Sequence, residues 1–250
     1  VLIKPWRDFA TEKGLGLSEL STLDGLSPGG NTVLVLPSAI ALDAAERTAI
    51  LRYRESGGAL VISWASGSRG GAGEWLGWDF MRQLTDVKVL NDSRPSNLPL
   101  LTIGEGPVTH AFPAGSRISL TPVTEKPLEL AGGQVALISA APSQGVAEVQ
   151  AGTAMVPSAG LVVINELGVT QPSRVAVLGM AETAWEKDKQ VIHILLTDVL
   201  DWLIRKPIVM RSQWPDGQRT AAFVMIDVLP DSTDLTGVAP TLRQTTLTGS

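Results

Sequence analysis

The sequence predicts an α/β fold: a mostly parallel sheet flanked by helices, with an additional β-rich insertion. Three observations carry this reading. Residues 32–69 form one complete strand–helix–strand block, TVLVLPSAIALDAAERTAILRYRESGGALVISWASGSR. A second apolar run, Arg174-Val-Ala-Val-Leu178, has the continuous character of a strand buried on both faces. Residues 190–204 place Val191, Ile194, Leu195, Val199, Trp202 and Leu203 on one broad helical face.

Taken in order, the first 26 residues are weakly patterned. Leu15, Leu17, Leu20 and Leu23 predict a short helix before the Asp24–Gly25 turn. Val33-Leu-Val-Leu36 is a strand stopped by Pro37. Asp43, with Glu46 three residues later, makes a capping box for the next helix, because each side chain can satisfy a free backbone N–H. That helix ends at Gly57-Gly58, and Ala59-Leu-Val-Ile-Ser63 follows as the second buried strand. Residues 75–84 carry apolar side chains at helical spacing, and residues 87–101 read as a Pro/Asn-rich connection. In residues 102–163, short apolar stretches at 118–120, 135–138 and 160–164 predict strands between Pro, Gly and Gln-rich turns. Pro207 marks the end of the last helix. Residues 208–210 and 220–226 are final strand candidates.

Residues 1–206 thus read as one α/β domain with a strand-rich insertion at 102–163. Residues 207–230 begin something new. Residues 231–250, DSTDLTGVAPTLRQTTLTGS, have the composition of a linker, a truncated end or disorder. The start at Val1, with no Met and no basic or apolar leader, suggests a fragment or processed product.

Composition excludes several functions. The chain has no Cys, so disulfides, zinc–thiolate sites and thiol nucleophiles are out of reach. A net charge of −5 gives no basic footprint for nucleic acid. No apolar run approaches the roughly 18–20 residues of a membrane-spanning helix.

In parallel sheets, ligands bind beyond the carboxyl ends of the strands. That rule gathers Ser38, residues 64–73, Asn165-Glu166 and residues 179–186 on one edge. Four of the seven Trp (Trp64, Trp75, Trp78 and Trp185) fall in or beside these loops. Aromatic faces can stack on sugar rings and Arg69 can hold a hydroxyl or carboxylate, while packing of helix against sheet is the commoner role for such Trp.

The stretch LPSAIALDAAERTAILRYRESGGALVIS resembles the class I glutamine-amidotransferase-like domains, a flavodoxin-like group. That group includes non-catalytic versions that trimerise some β-galactosidases or sit beside carbohydrate-active domains. Gly106-Pro-Val-Thr-His-Ala-Phe-Pro113, Arg174–Met180 and DVLDWLIRK at 198–206 fit the same group in order. Catalytic members carry Cys on a sharp turn after a strand, which corresponds here to Trp64-Ala-Ser-Gly67. They carry His-x-Glu after a later strand, which corresponds to Met180-Ala-Glu182. The Cys is missing and Met180 stands at the His position, so only Glu182 survives, and thiolate attack assisted by imidazole is unavailable. A second resemblance, WPDGQRTAAFVMID at 214–227, is to the opening strand of polysaccharide deacetylase (NodB-type) domains. It implies a first metal-site acid at Asp227. Val228 does not match a second Asp, and the two His, His110 and His193, both lie upstream.

What these resemblances imply is a non-catalytic accessory domain of a carbohydrate-active protein, itself a polysaccharide deacetylase and so a hydrolase of C–N bonds. No cofactor is expected in this chain, and a divalent metal only in a complete deacetylase domain. The implied partners are a polysaccharide or a neighbouring catalytic domain, or a second copy in a homo-oligomer, in a periplasmic or secreted setting. The residues themselves, by their place at the sheet edge and their chemistry, give Trp64, Ser66, Arg69, Trp75, Trp78, Glu182 and Trp185 as the expected binding set. Two alternatives stay open: a hydrolase of carbohydrate esters or amides working through Ser66 or Glu182, and a structural oligomerisation module. Ser66 lacks the Gly-x-Ser-x-Gly frame, since Trp64 holds the first Gly position. The loop SGSRGGAG lacks the Lys-Ser/Thr ending of a phosphate cradle and reads as flexible. Glu182, Glu186 and Asp188, interleaved with Lys187 and Lys189, read as a solvated surface more than as paired acids. His193 reads as a half-buried packing residue, and His110 has no visible partner.

Overall fold

The computed structural model describes residues 2–92, 100–103, 107–112, 117–119, 124–125, 127–140, 160–170, 172–186 and 189–207. All belong to one compact unit, Val1–Pro207. The helices are α1 (Ile3–Lys13), α2 (Ala44–Glu55), α3 (Asp79–Thr85) and α4 (Lys189–Leu203). The strands are β1 (Val33–Leu36), β2 (Ala59–Ser63), β3 (Lys88–Asp92), β4 (Leu100–Ile103), β5 (Arg117–Ser119), β6 (Leu128–Ala131), β7 (Gln134–Ala140), β8 (Gly160–Leu167) and β9 (Ser173–Leu178). One sheet runs β1-β2-β9-β8-β7-β4-β5, with β6 pairing β3 and β8 beside that path.

The fold is the α/β arrangement expected, a parallel sheet flanked by helices and extended by a strand-rich region. β1, β2 and β9 are parallel neighbours. From β9 outward, β8, β7, β4 and β5 continue the sheet antiparallel.

Side chains alternate across a strand, so each parallel strand feeds two cores. Leu60 and Ile62 of β2, with Val175 and Val177 of β9, pack under α2 and α3 against Ile50, Tyr53, Phe80 and Leu84. Val61, Ala176 and Leu178 face the other way, toward Trp6 and Phe9 of α1 and Ile192, Leu195 and Val199 of α4. Burial on both faces is why these strands read as unbroken apolar runs. Each fully buried Leu, Ile or Val contributes roughly 1.5–3 kcal/mol relative to exposure.

Local chemistry fixes the βαβ unit. The Asp43 carboxylate accepts the Glu46 N–H at 2.8 Å, and the Glu46 carboxylate accepts the Asp43 N–H at 2.8 Å, completing the expected capping box. At the other end of α2, a Cβ on Gly58 would lie 2.3 Å from the Tyr53 ring, so only glycine lets β2 start there.

Three expectations are corrected. The first helix lies at Ile3–Lys13, not around Leu15–Leu23. Trp6, Phe9 and Ala10 form its buried stripe, and Gly14 stops it in a left-handed conformation (φ 64°), leaving Leu15, Leu17 and Leu20 exposed beyond it. The helix expected at 75–84 begins only at Asp79, because Gly77 (φ 76°) breaks its first turn. The presumed connection at 87–101 contains β3, which pairs with β6, a strand the pattern did not reveal. The strand candidates at 208–210 and 220–226, and Asp227, lie outside the described residues. Among the described residues no helix is long and apolar enough to cross a membrane.

Candidate functional site

Two sharp turns sit at the carboxyl ends of neighbouring parallel strands. Just after β1, Ser38 holds φ 43°, and just after β2, Trp64 holds φ 45°. Positive φ is strained in residues with a side chain, especially bulky ones, and costs of order 1–3 kcal/mol. The surrounding bonds enforce it: the Trp64 N–H donates to the Leu178 carbonyl of β9 at 2.6 Å. The strained position of the turn after β2 is therefore occupied by an indole.

The loop after Trp64 is pinned rather than flexible. The Gly67 N–H donates to Ala39 O at 2.9 Å, the Arg69 N–H donates to Ile40 O at 3.0 Å, and the Leu42 N–H donates to Arg69 O at 3.1 Å. The Arg47 guanidinium donates to the carbonyls of Leu42, Gly67 and Arg69 at 3.1, 2.8 and 2.7 Å. Arg69 also bridges back to Trp75, and Leu76 N–H reaches Ser68 O at 2.9 Å. With its carbonyls held by Arg47, the loop is a fixed rim.

That rim borders a groove of about 480 Å³. Its walls come from Trp64, Ser68, Arg69, Trp75 and Trp78, with Thr124, Glu125 and Leu128 contributed from across the strand-rich region. Trp75 and Trp78 meet edge to face, 5.2 Å apart at 88°. Trp75 is 56% exposed. The Arg69 guanidinium sits 5.9 Å from the Trp75 ring centre and donates to Gly73 O at 2.7 Å. Of the seven anticipated binding residues, the structure brings Trp64, Arg69, Trp75 and Trp78 together here.

The other three lie beneath the surface. Ser66 is 1% exposed, and its hydroxyl contacts Leu36 O and Ser63 O at 3.0 and 2.7 Å while accepting the Ala39 N–H at 2.9 Å. Glu182, also 1% exposed, accepts Trp6 Nε1–H at 2.8 Å and the Ser38 hydroxyl at 2.5 Å. It ties α1, the β1 turn and the short 3-10 helix Glu182–Trp185 into one knot. Trp185 is 2% exposed and packs edge to face on Trp6, 5.1 Å away. Asn165-Glu166 does not join the edge at all. β8 runs antiparallel to β9, so Glu166 lies opposite Arg174 at the amino end of β9.

The two histidines are also elsewhere. His193 is buried on α4, with Nδ1 2.7 Å from a Glu12 carboxylate oxygen and its ring edge-to-face with Phe9. His110 has a partner after all: its Nε2 lies 3.6 Å from the Asp198 carboxylate. Burial pushes Asp198 above the usual carboxylate range, against the pull of His110. Among the described residues, no cluster of three or more His, Asp or Glu could hold a metal ion.

Sequence reasoning missed Thr124, Glu125 and Leu128. Leu128 joins the groove through the long-range pairing of β6 with β3, and nothing in the local sequence announces Thr124 or Glu125.

No protein-family model matches the chain, and no curated protein matches it. Solved structures do. The mmIFT52 N-terminal domain is 14% identical with a TM-score of 0.55, covering 83% of this chain and 92% of that one. A putative ThuA-like protein from Bacteroides uniformis is 16% identical with a TM-score of 0.50, covering 81% and 82%. A β-galactosidase from Rahnella sp. R3 is 10% identical with a TM-score of 0.47, and the match spans 74% of this chain but 24% of that enzyme. At these identities the first two likenesses establish a shared fold and no more.

Proposed function

We propose that this α/β unit is a non-catalytic accessory domain of a carbohydrate-active protein, holding glycan in the groove beside Trp64, Arg69, Trp75 and Trp78. The observation that carries this reading is the division of labour at the sheet edge. The aromatic and cationic side chains face an open groove, while Ser66 and Glu182, the hydroxyl and acid on which a hydrolase would depend, are consumed by buried hydrogen bonds. Neither histidine lines the groove. The expected neighbour is a carbohydrate esterase, on the strength of the deacetylase-like residues 214–227.

A glycan array tests the reading. Wild-type chain is expected to bind at least one polysaccharide class and Trp75→Ala to lose it, with no hydrolysis of glutamine or acetyl esters by either. Hydrolysis abolished by Ser66→Ala or Glu182→Ala would overturn it.

One observation favours a second reading. Trp75 and Leu76 are exposed side by side, at 56% and 46%, and such a pair also suits a contact between copies of the chain. Light scattering separates the two: an oligomer dissociated by Trp75→Ala, with no glycan bound, supports the oligomerisation module.

A further inference from the structure

We infer that the groove is built for a neutral saccharide segment, with Ser68 supplying a hydrogen bond to one of its hydroxyls. The inference rests on the glycan reading above and narrows it to a substrate class.

Charge balance is the first argument. Among the described residues lining the groove, the charged ones are Arg69 and Glu125, one of each sign. Arg69 already donates to Gly73 O and stacks toward Trp75. An acidic sugar would bring a carboxylate beside Glu125 and compete for a cation that is half committed. A neutral sugar meets no such conflict, because its hydroxyls can donate to the Glu125 carboxylate and accept from Arg69. Thr124, whose hydroxyl donates to Glu125 at 3.2 Å, adds a further polar contact on that wall.

Ser68 is the second and independent argument. It lines the groove and is 1% exposed, yet its Oγ has no hydrogen-bond partner. Native proteins rarely leave such a group unpaired. Closed to water as it stands, this hydroxyl would reach a ligand by turning about its Cα–Cβ bond toward the groove; it gives up no hydrogen bond in doing so, and the new bond contributes more than that of an ordinary exposed hydroxyl. The buried Ser66, by contrast, is fully used by the backbone. The groove volume of about 480 Å³ falls within the roughly 300–1,000 Å³ of small-molecule sites, and the Trp75–Trp78 pair offers apolar surface for the C–H face of a pyranose ring.

The test is isothermal titration of the full chain with cellohexaose, mannohexaose, chitohexaose and a β-galacto-oligosaccharide, beside oligogalacturonate and oligomannuronate. The expected result is binding of a neutral member, little changed between low and high NaCl. Ser68→Ala should weaken it roughly tenfold with an unchanged or raised Tm, and Trp75→Ala should abolish it. Preferential binding of an acidic oligosaccharide, or affinity that collapses with salt, would overturn the neutral assignment and leave the glycan reading standing. Neutral binding indifferent to Ser68→Ala would remove Ser68 from the site. If no oligosaccharide binds, the glycan reading itself fails. Should Ser68→Ala not fold, the salt dependence and sugar preference of the wild type still decide the class.

Discussion

Glu182 gives the sharpest test of how the sheet edge is held. Its carboxyl accepts from Trp6 Nε1 at 2.8 Å and from the Ser38 hydroxyl at 2.5 Å. All three residues are nearly closed to water, with Trp6 and Ser38 each 3% exposed and Glu182 1%. Glu182→Ala leaves two buried donors unpaired. Each costs about 1–3 kcal/mol, so the loss of stability is about 2–6 kcal/mol. Relaxation of the strained Ser38 backbone (φ 43°), once the bond is gone, would offset part of this loss and place it toward the lower end of the range. Glu182→Gln keeps the shape. Its amide oxygen can accept from Trp6, and the Ser38 hydroxyl can turn to accept from the amide NH₂. The expected cost is about 1 kcal/mol. Urea denaturation at fixed pH, with unchanged m-values, measures both. Amide exchange should also speed up in α1 for the Ala variant. A loss below about 1 kcal/mol for Glu182→Ala would refute the reasoning, as would a Gln variant as unstable as the Ala variant.

Three further outcomes follow from the same geometry. Ser66→Ala removes the hydroxyl that joins the ends of β1 and β2 and should cost about 1–3 kcal/mol in urea denaturation without abolishing glycan binding. Gly67→Ala is more severe: φ is 70° and the new Cβ would meet the Phe80 ring at 2.3 Å, so a loss of about 2–5 kcal/mol is expected by the same assay. Asp198→Asn should not lower Tm at pH 7. The folded-state pKa of Asp198 is raised by burial, so its ionisation carries a penalty that appears as pH rises above the ordinary value near 3.8. The advantage of Asn over Asp should therefore shrink as pH falls toward that value. A Tm loss at pH 7 that vanishes in acid would mean that the His110 contact outweighs the burial.

The parallel half of the fold is legible in the sequence because its physics is local. β1, β2 and β9 are buried on both faces and so appear as apolar runs, and α2 announces itself through the Asp43–Glu46 capping box. α1 is hidden because three buried side chains, Trp6, Phe9 and Ala10, are set among charged neighbours. β3 and β6 pair across some forty residues, which no short window reveals. The misplacement of Asn165-Glu166 has one cause: an apolar strand does not declare its direction, and β8 runs antiparallel. For the site, the crowding of Trp64, Trp75 and Trp78 around one Gly-rich loop was informative. Burial of Ser66, Glu182 and Trp185 was not, because a polar or aromatic residue near a loop looks the same whether it faces water or the core.

The most direct test of the accessory-domain reading is the indole N–H region of an amide-correlation NMR spectrum, recorded while the best-binding oligosaccharide is titrated in. The account predicts that the Trp64, Trp75 and Trp78 resonances shift with saturation, while those of Trp6 and Trp185, sealed in the core beside Glu182, stay in place. Shifts confined to Trp6 and Trp185, or a ligand that moves none of the groove tryptophans, would contradict it.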